Sequence, residues 1–125
     1  MRLSLALSLC LAAACGGGSS SSPDAPVSGI DSAPAEVEVV ACTGVTPAAT
    51  VTVVNFQFSP SATTINVGDV VHLMPTASHP TASGSGGTPD GKFNVSSDAC
   101  LKFTKAGTYP FYCIPHGFTG TITVQ

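Results

Sequence analysis

The amino-acid sequence predicts an all-β domain, a Greek-key β-sandwich, in its C-terminal two thirds. Short runs rich in Val, Thr, Ile, Phe and Tyr recur between turns that contain glycine or proline. Regularly spaced short strands of this kind are typical of sandwiches. No stretch shows a convincing 3.6-residue apolar repeat, which is the period of an amphipathic helix.

Composition limits the class of protein. The chain has 125 residues, enough for one domain, with 43% hydrophobic and only 9% charged residues. The formal net charge is −3 and no basic patch stands out, which argues against nucleic acid as a partner.

Residues 1–14 have the features of an export signal. Arg2 supplies a positive charge, and residues 3–11 are apolar but too few to span a bilayer. The small residues before Cys15 resemble the lipobox of bacterial lipoproteins, although Ala12 stands where leucine is usual. We therefore expect an exported periplasmic or cell-surface lipoprotein of a bacterium, with Cys15 lipidated and the lipid as its only membrane contact. Ordinary cleavage that leaves Cys15 free is the alternative.

Residues 15–41 are predicted to be a flexible tether. Gly16 to Ser22 contains only glycine and serine, and prolines follow. Such a composition cannot bury enough apolar surface to fold. The acidic residues of this segment are interpreted as solvated spacer charge. The folded domain is assigned to residues 42–125.

The strands of this domain are predicted from β-branched and aromatic runs between turn signals. The predicted strands cover 50–58, 63–67, 70–74, 100–103, 109–113 and 121–124. Residues 82–91 are rich in Gly, Ser, Thr and Pro and are predicted to be a loop.

A thiol and an imidazole lie between the last two strands. Cys113 ends the first strand and His116 follows three residues later, in a short loop. His79 follows the strand 70–74 after a similar short loop. One thiolate and two imidazoles suit copper or zinc far better than calcium or magnesium, and they are the trigonal ligand set of blue-copper sites.

The cysteines of the exported chain fit this interpretation. If Cys15 is lipidated and Cys113 binds metal, Cys42 and Cys100 remain as a pair, and an oxidising compartment favours their disulfide. The alternative pair, Cys100 with Cys113, would destroy the site and would leave Cys42 without a partner.

Three blocks of the domain resemble the cupredoxins, most closely the plastocyanin, pseudoazurin and amicyanin branch. The blocks occur in family order and at family spacing, and the likeness covers residues 50–125. They are Phe56-Gln57-Phe58-Ser59-Pro60, then Val67-Gly68-Asp69-Val70-Val71 leading through Pro75-Thr76 to His79, and finally Ala106-Gly107-Thr108-Tyr109-Pro110-Phe111-Tyr112-Cys113-Ile114-Pro115-His116.

This resemblance implies one mononuclear copper ion held by His79, Cys113 and His116, and a single-electron carrier with no enzymatic activity. The family usually has a methionine after the second histidine, but the loop here has none. The axial candidates are therefore the Thr119 hydroxyl, the backbone carbonyl of Ser78, or no ligand. Pro80 also removes an amide hydrogen near the thiolate.

The remaining residues of interest receive simpler interpretations. His72 is predicted to face solvent and Met74 to pack in the core. The aromatic residues predicted to be core are Phe56, Phe58, Phe103, Tyr109 and Phe111.

The resemblance also implies an exposed apolar patch around the second histidine. Phe118, with Pro115 and Ile114, is a candidate docking patch for a redox partner, but Phe118 tucked beneath its loop is an equal alternative. The protein is expected to be a monomer with an unidentified redox protein partner. A copper-holding or delivery protein and a metal-free surface interaction module remain as alternative functions.

Overall fold

The computed structural model describes residues 34–125, which form ten β-strands. They are β1 Val37–Val40, β2 Ala49–Val54, β3 Gln57–Ser59, β4 Ala62–Ile65, β5 Val70–Met74, β6 Thr81–Ser85, β7 Thr88–Val95, β8 Ala99–Phe103, β9 Gly107–Cys113 and β10 Thr119–Val124. The predicted export signal, Cys15 and the tether as far as residue 33 lie outside the described residues. Across residues 34–125, no helix is long and apolar enough to cross a membrane.

The strands form two five-stranded sheets. Their orders are β1-β8-β5-β2-β3 and β4-β10-β9-β6-β7. β2 runs parallel to β5, and β4 runs parallel to β10, whereas the other neighbouring strands are antiparallel. The predicted all-β sandwich is confirmed.

The core consists of the inward-facing side chains of both sheets. Alternating strand residues point to opposite faces, so every second residue enters the core. The fully buried side chains include Val51, Val71, Leu73, Leu101, Phe103, Phe111 and Ile122. Four of the five aromatic residues predicted to be core are buried. The prediction for Phe56 is wrong, because 60% of that residue is exposed.

The folded part begins before the predicted boundary at residue 42. Val37–Val40 pairs with β8, and Val37 is buried opposite Phe103. Glu36 lies just before this strand and forms an ion pair with Lys105 at 2.8 Å. The short β-branched run at the end of the predicted tether therefore completes the edge of the first sheet.

The predicted loop at 82–91 is wrong, because β6 and β7 form a hairpin there. Small residues let this hairpin pack closely. A Cβ at Gly84 would overlap backbone atoms of β7. The buried Ser83 hydroxyl accepts the Phe93 amide hydrogen at 2.9 Å and donates to the Phe93 carbonyl at 3.2 Å. Residues that usually signal a turn are used here inside a bulged strand.

The Cys42–Cys100 disulfide predicted from the sequence is present, and it joins the end of β1 to β8 across a sequence separation of 58 residues. Its Cα atoms lie 5.3 Å apart, within the range that a disulfide requires. Cys113 is free and buried, so the alternative pairing with Cys100 does not occur.

Candidate metal centre

Cys113 is fixed by its own strand and by the loop that follows it. It is the last residue of β9 and is fully buried. Its amide donates to the Phe118 carbonyl at 2.9 Å, and its carbonyl accepts the Gly117 amide at 2.8 Å. These two hydrogen bonds close the loop that contains His116, so the thiol and this imidazole are held on one compact turn.

Strand pairing brings His79 to the same place. Thr81 of β6 pairs with Cys113 of β9, which puts the residues just before β6 beside the thiol. The Ile114 amide donates to the Pro80 carbonyl at 2.8 Å, and the Thr81 hydroxyl donates to the His79 carbonyl at 3.1 Å. Two loops far apart in the sequence are thereby joined through their backbones.

The three donor atoms form a small triangle. The Nδ1 atoms of His79 and His116 are 3.1 Å apart, and each lies 3.6 Å from the Cys113 sulfur. The point in their plane that is equidistant from the three atoms lies about 2.0 Å from each. For comparison, zinc lies about 2.0 Å from imidazole nitrogen and about 2.3 Å from thiolate sulfur, so the triangle is close to the size that a first-row metal requires and slightly tight at the sulfur. The sulfur is buried, His79 is partly buried and His116 is exposed. The set fits one small, soft metal ion at the edge of the core.

Aromatic rings surround the two imidazoles. Phe118 is partly buried and packs on Phe58, with ring centroids 4.7 Å apart. Its ring lies 5.4 Å from that of His79 and is stacked 6.4 Å from that of His116. This is the tucked arrangement that the sequence left open for Phe118.

The predicted strand 50–58 is interrupted at the tip of a hairpin. Asn55 and Phe56 connect β2 to β3, and both have positive φ, +49° and +60°. This is the backbone of a tight hairpin turn that matches the twist of the strands. Asn tolerates this conformation, but for a bulky side chain it costs on the order of 1 kcal/mol or more. Phe56 reaches from this turn to both imidazoles, a contact that sequence reasoning missed.

The other predicted site residues lie around this cluster. Thr119 is the exposed first residue of β10, and it lines a cavity of about 360 Å³ with Gln57, Phe58, Ser61 and Phe118. Ser78 is exposed in the loop before His79. The axial role suggested for either residue stays a prediction. Ile114 is 46% exposed and Pro115 is also exposed, beside His116.

His72 does not join the centre. It lies on β5 with its side chain only 24% exposed, and its Nε2 is 3.6 Å from the Asp98 carboxylate. The prediction that it faces solvent therefore holds only in part. Its neighbour across the sheet is Cys100 of the disulfide.

No protein-family profile matches the chain. A curated pseudoazurin from Methylorubrum extorquens is 33% identical over 72 residues, which are 54% of this chain. The matched part spans 49% of that protein's length.

Solved structures show the same fold. A point mutant of amicyanin in its reduced Cu(I) form at pH 4 superposes with a TM-score of 0.55 at 21% identity, covering 72% of this chain and 99% of that one. A second amicyanin mutant, also in its Cu(I) form, gives 0.57 at 19% identity with the same coverage. This likeness establishes the architecture, and the pseudoazurin match adds a relationship in sequence. The domain therefore has a cupredoxin-like fold.

Proposed function

We propose that the domain binds one copper ion through His79, Cys113 and His116 and carries single electrons between redox proteins. The observation that carries this proposal is the triangle of one sulfur and two Nδ1 atoms. A thiolate with two imidazoles is the donor set of blue-copper electron carriers. A bound copper would supply the exchange between Cu(II) and Cu(I).

The residues of the site suit this task. Backbone hydrogen bonds at Cys113, Gly117 and Ile114 fix the backbone of the loops that carry the proposed ligands. Little movement of the ligands is then needed on electron exchange. Burial of the Cys113 sulfur keeps water from the thiolate, and the shell around a ligand tunes the metal.

The exposed edge of His116 offers a short path to a partner. Ile114, Pro115 and Phe56 surround this imidazole with exposed apolar surface. We propose this surface as the docking patch for an unidentified redox protein. Phe56 takes the exposed role that was considered for Phe118, which is partly buried. The domain has no proposed role in substrate chemistry and acts as a carrier.

The axial position and the cellular location are further parts of the proposal. Neither methionine of the sequence lies in the loop between Cys113 and β10. We infer a site without a strong axial ligand, or with a weak oxygen from Thr119 or Ser78. The N-terminal sequence supports export, with Cys15 as the point of lipid attachment and the protein held in the periplasm or at the cell surface.

The test is the visible absorption spectrum after addition of Cu(II). The exported chain with Cys15→Ser, which removes the lipid site, is compared with the same chain carrying Cys113→Ser. We expect an intense thiolate-to-copper band in the first protein and none in the second. Absence of the band in a folded protein with Cys113 reduced would overturn the proposal and favour a metal-free interaction module.

Copper delivery is the competing use of the same three residues. Exposure of His116 is compatible with this use as well as with electron transfer, because an acceptor protein could reach the metal directly at the surface. Rapid transfer of copper to a chelator together with slow electron self-exchange would establish delivery. Fast self-exchange with copper retained would establish the electron carrier.

A further inference from the structure

Phe56 is unusual in both its backbone and its side chain. Among residues 34–125, only Asn55 and Phe56 combine a side chain with a positive φ. Glycine and asparagine are the usual residues in such a turn, because a bulky side chain is strained there. The Phe56 side chain is also exposed, so core packing does not account for a phenylalanine at this position.

The contacts of the Phe56 ring lie with the histidines. Its centroid is 5.3 Å from that of His79 with an interplanar angle of 89°, and 5.0 Å from that of His116 with an angle of 79°. Edge-to-face pairs at these distances are attractive. The two imidazoles belong to different loops, and the ring comes from a third, the tip of the β2–β3 hairpin.

The two imidazoles lie close together at the surface of the domain. Their Nδ1 atoms are 3.1 Å apart, and His79 is only partly buried while His116 is exposed. A ring that packs on both imidazoles therefore restricts rotation of either side chain away from the site. The thiol, by contrast, is fixed by the burial and backbone bonds of Cys113.

We propose that Phe56 is a positioning residue that holds the imidazoles of His79 and His116 in their metal-binding orientation and limits the access of water to their exposed side. The inference rests on the proposed copper function. It adds that the strained turn is retained because its side chain organises the site. If Phe56 had no such role, asparagine or glycine at this position would make the turn more stable.

The experiment compares three variants in the exported Cys15→Ser chain. Phe56→Asn suits the turn but removes the ring, Phe56→Tyr keeps the ring, and Asn55→Gly changes the same turn while leaving Phe56 in place. The measurements are the thermal stability and imidazole proton NMR signals of the metal-free proteins, and the rate at which a chelator removes copper. Loss of a supporting residue around metal ligands typically weakens metal binding about 10- to 100-fold.

We expect Phe56→Asn to be at least as stable as the parent without metal, to lose the ring-current shifts of both histidines, and to release copper about 10-fold faster or more. Phe56→Tyr and Asn55→Gly should retain the parent's release rate. Equal release from the parent and Phe56→Asn, or equally fast release from Asn55→Gly, would overturn the inference. If Phe56→Asn fails to fold, Phe56→Leu replaces it, with the same expected loss.

Failure of the proposed function can be distinguished from failure of this inference. If the parent takes up no copper, the carrier proposal fails. The imidazole signals of the metal-free parent and Phe56→Asn then decide the positioning role on their own. Unchanged histidine shifts in the variant would refute it.

Discussion

The domain contains two clusters of cysteine and histidine that differ in their chemistry. One consists of Cys42, His72 and Cys100, and the other of His79, Cys113 and His116, each with donor atoms within 4.8 Å of one another. In the first cluster the two sulfurs are joined as a disulfide. In the second, one free buried sulfur faces two imidazole nitrogens. The same residue types therefore make a structural crosslink in the first, closed cluster and a group of unbonded donor atoms that could hold a metal ion in the second, open cluster.

The position of each cluster in the fold explains the difference. His72 and Cys100 are direct neighbours across β5 and β8, and Cys42 follows the strand on the other side of β8. Adjacent strands bring two thiols close enough to bond. The second cluster joins a strand end to two loops, where only one thiol is present. We expect the closed cluster, which contains the disulfide, to contribute mainly to stability, and the open cluster around Cys113 to contribute mainly to metal binding. Substitutions in the two clusters test this division.

Removal of the disulfide should have the largest effect. Replacing both cysteines, Cys42→Ala with Cys100→Ala, should lower the free energy of unfolding by about 4 kcal/mol, because the crosslink restricts a long loop of the unfolded chain. Urea unfolding with and without the two substitutions measures the loss. The copper-binding spectrum should survive wherever the variant is folded. Loss of copper uptake in the folded variant would contradict the division between the clusters.

Removal of one histidine from each cluster should affect copper binding in one case and not in the other. His79→Ala takes away one of the three proposed ligands and should weaken copper binding by about 100-fold or more, since even supporting residues are worth 10- to 100-fold. His72→Ala should leave copper binding unchanged. Competition with a chelator of known affinity measures both variants. Equal loss in the two would show that the clusters are not independent.

The sequence was sufficient to predict the open cluster because its donors follow strand ends at short, fixed spacings. Cys113 and His116 lie within one turn, and His79 is brought there by pairing between β6 and β9. The role of Phe56 could not be predicted, because it depends on a hairpin tip whose φ values contradict the residue's own preference. The available signal was an Asn followed by an aromatic residue directly after the β-branched run 50–54, and in the sequence it resembles the continuation of one strand.

The missed strands have a similar explanation. Residues 82–91 read as a loop because Ser and Gly usually mark turns. Here the buried Ser83 satisfies the Phe93 backbone and Gly84 permits close approach of β7. Strand β1 was missed because a four-residue run becomes a strand only when β8 is present to pair with it.

Substitution of Gly120 should have a smaller effect, at the metal end of the domain. A Cβ on Gly120 would overlap the ring of Phe111, which packs on Phe58 at 4.6 Å. Gly120→Ala should therefore cost about 1–3 kcal/mol of stability, the usual cost of overpacking a core. Thermal unfolding measures this cost. A Gly120→Ala protein as stable as the parent would mean that the packing around Phe111 can adjust to an added methyl group.

The smallest effect is expected just before β1, where Lys105 meets Glu36. The hydrogen bond from Lys105 lowers the pKa of Glu36. The pair therefore stabilises the fold at pH values above the ordinary carboxyl pKa, and this stabilisation is lost as the pH falls through the lowered pKa of Glu36. Because Lys105 is exposed and Glu36 is partly exposed, Lys105→Met should produce only a slight loss of stability at neutral pH. Urea unfolding at pH 7 and at successively lower pH, together with Glu36→Gln and the double variant, measures this loss. The coupling between the two residues should be present at pH 7 and absent in acid. A coupling that persists in acid would place the contribution of Lys105 elsewhere, in the packing of its aliphatic stem on β1, because a protonated Glu36 no longer offers a charge to pair with.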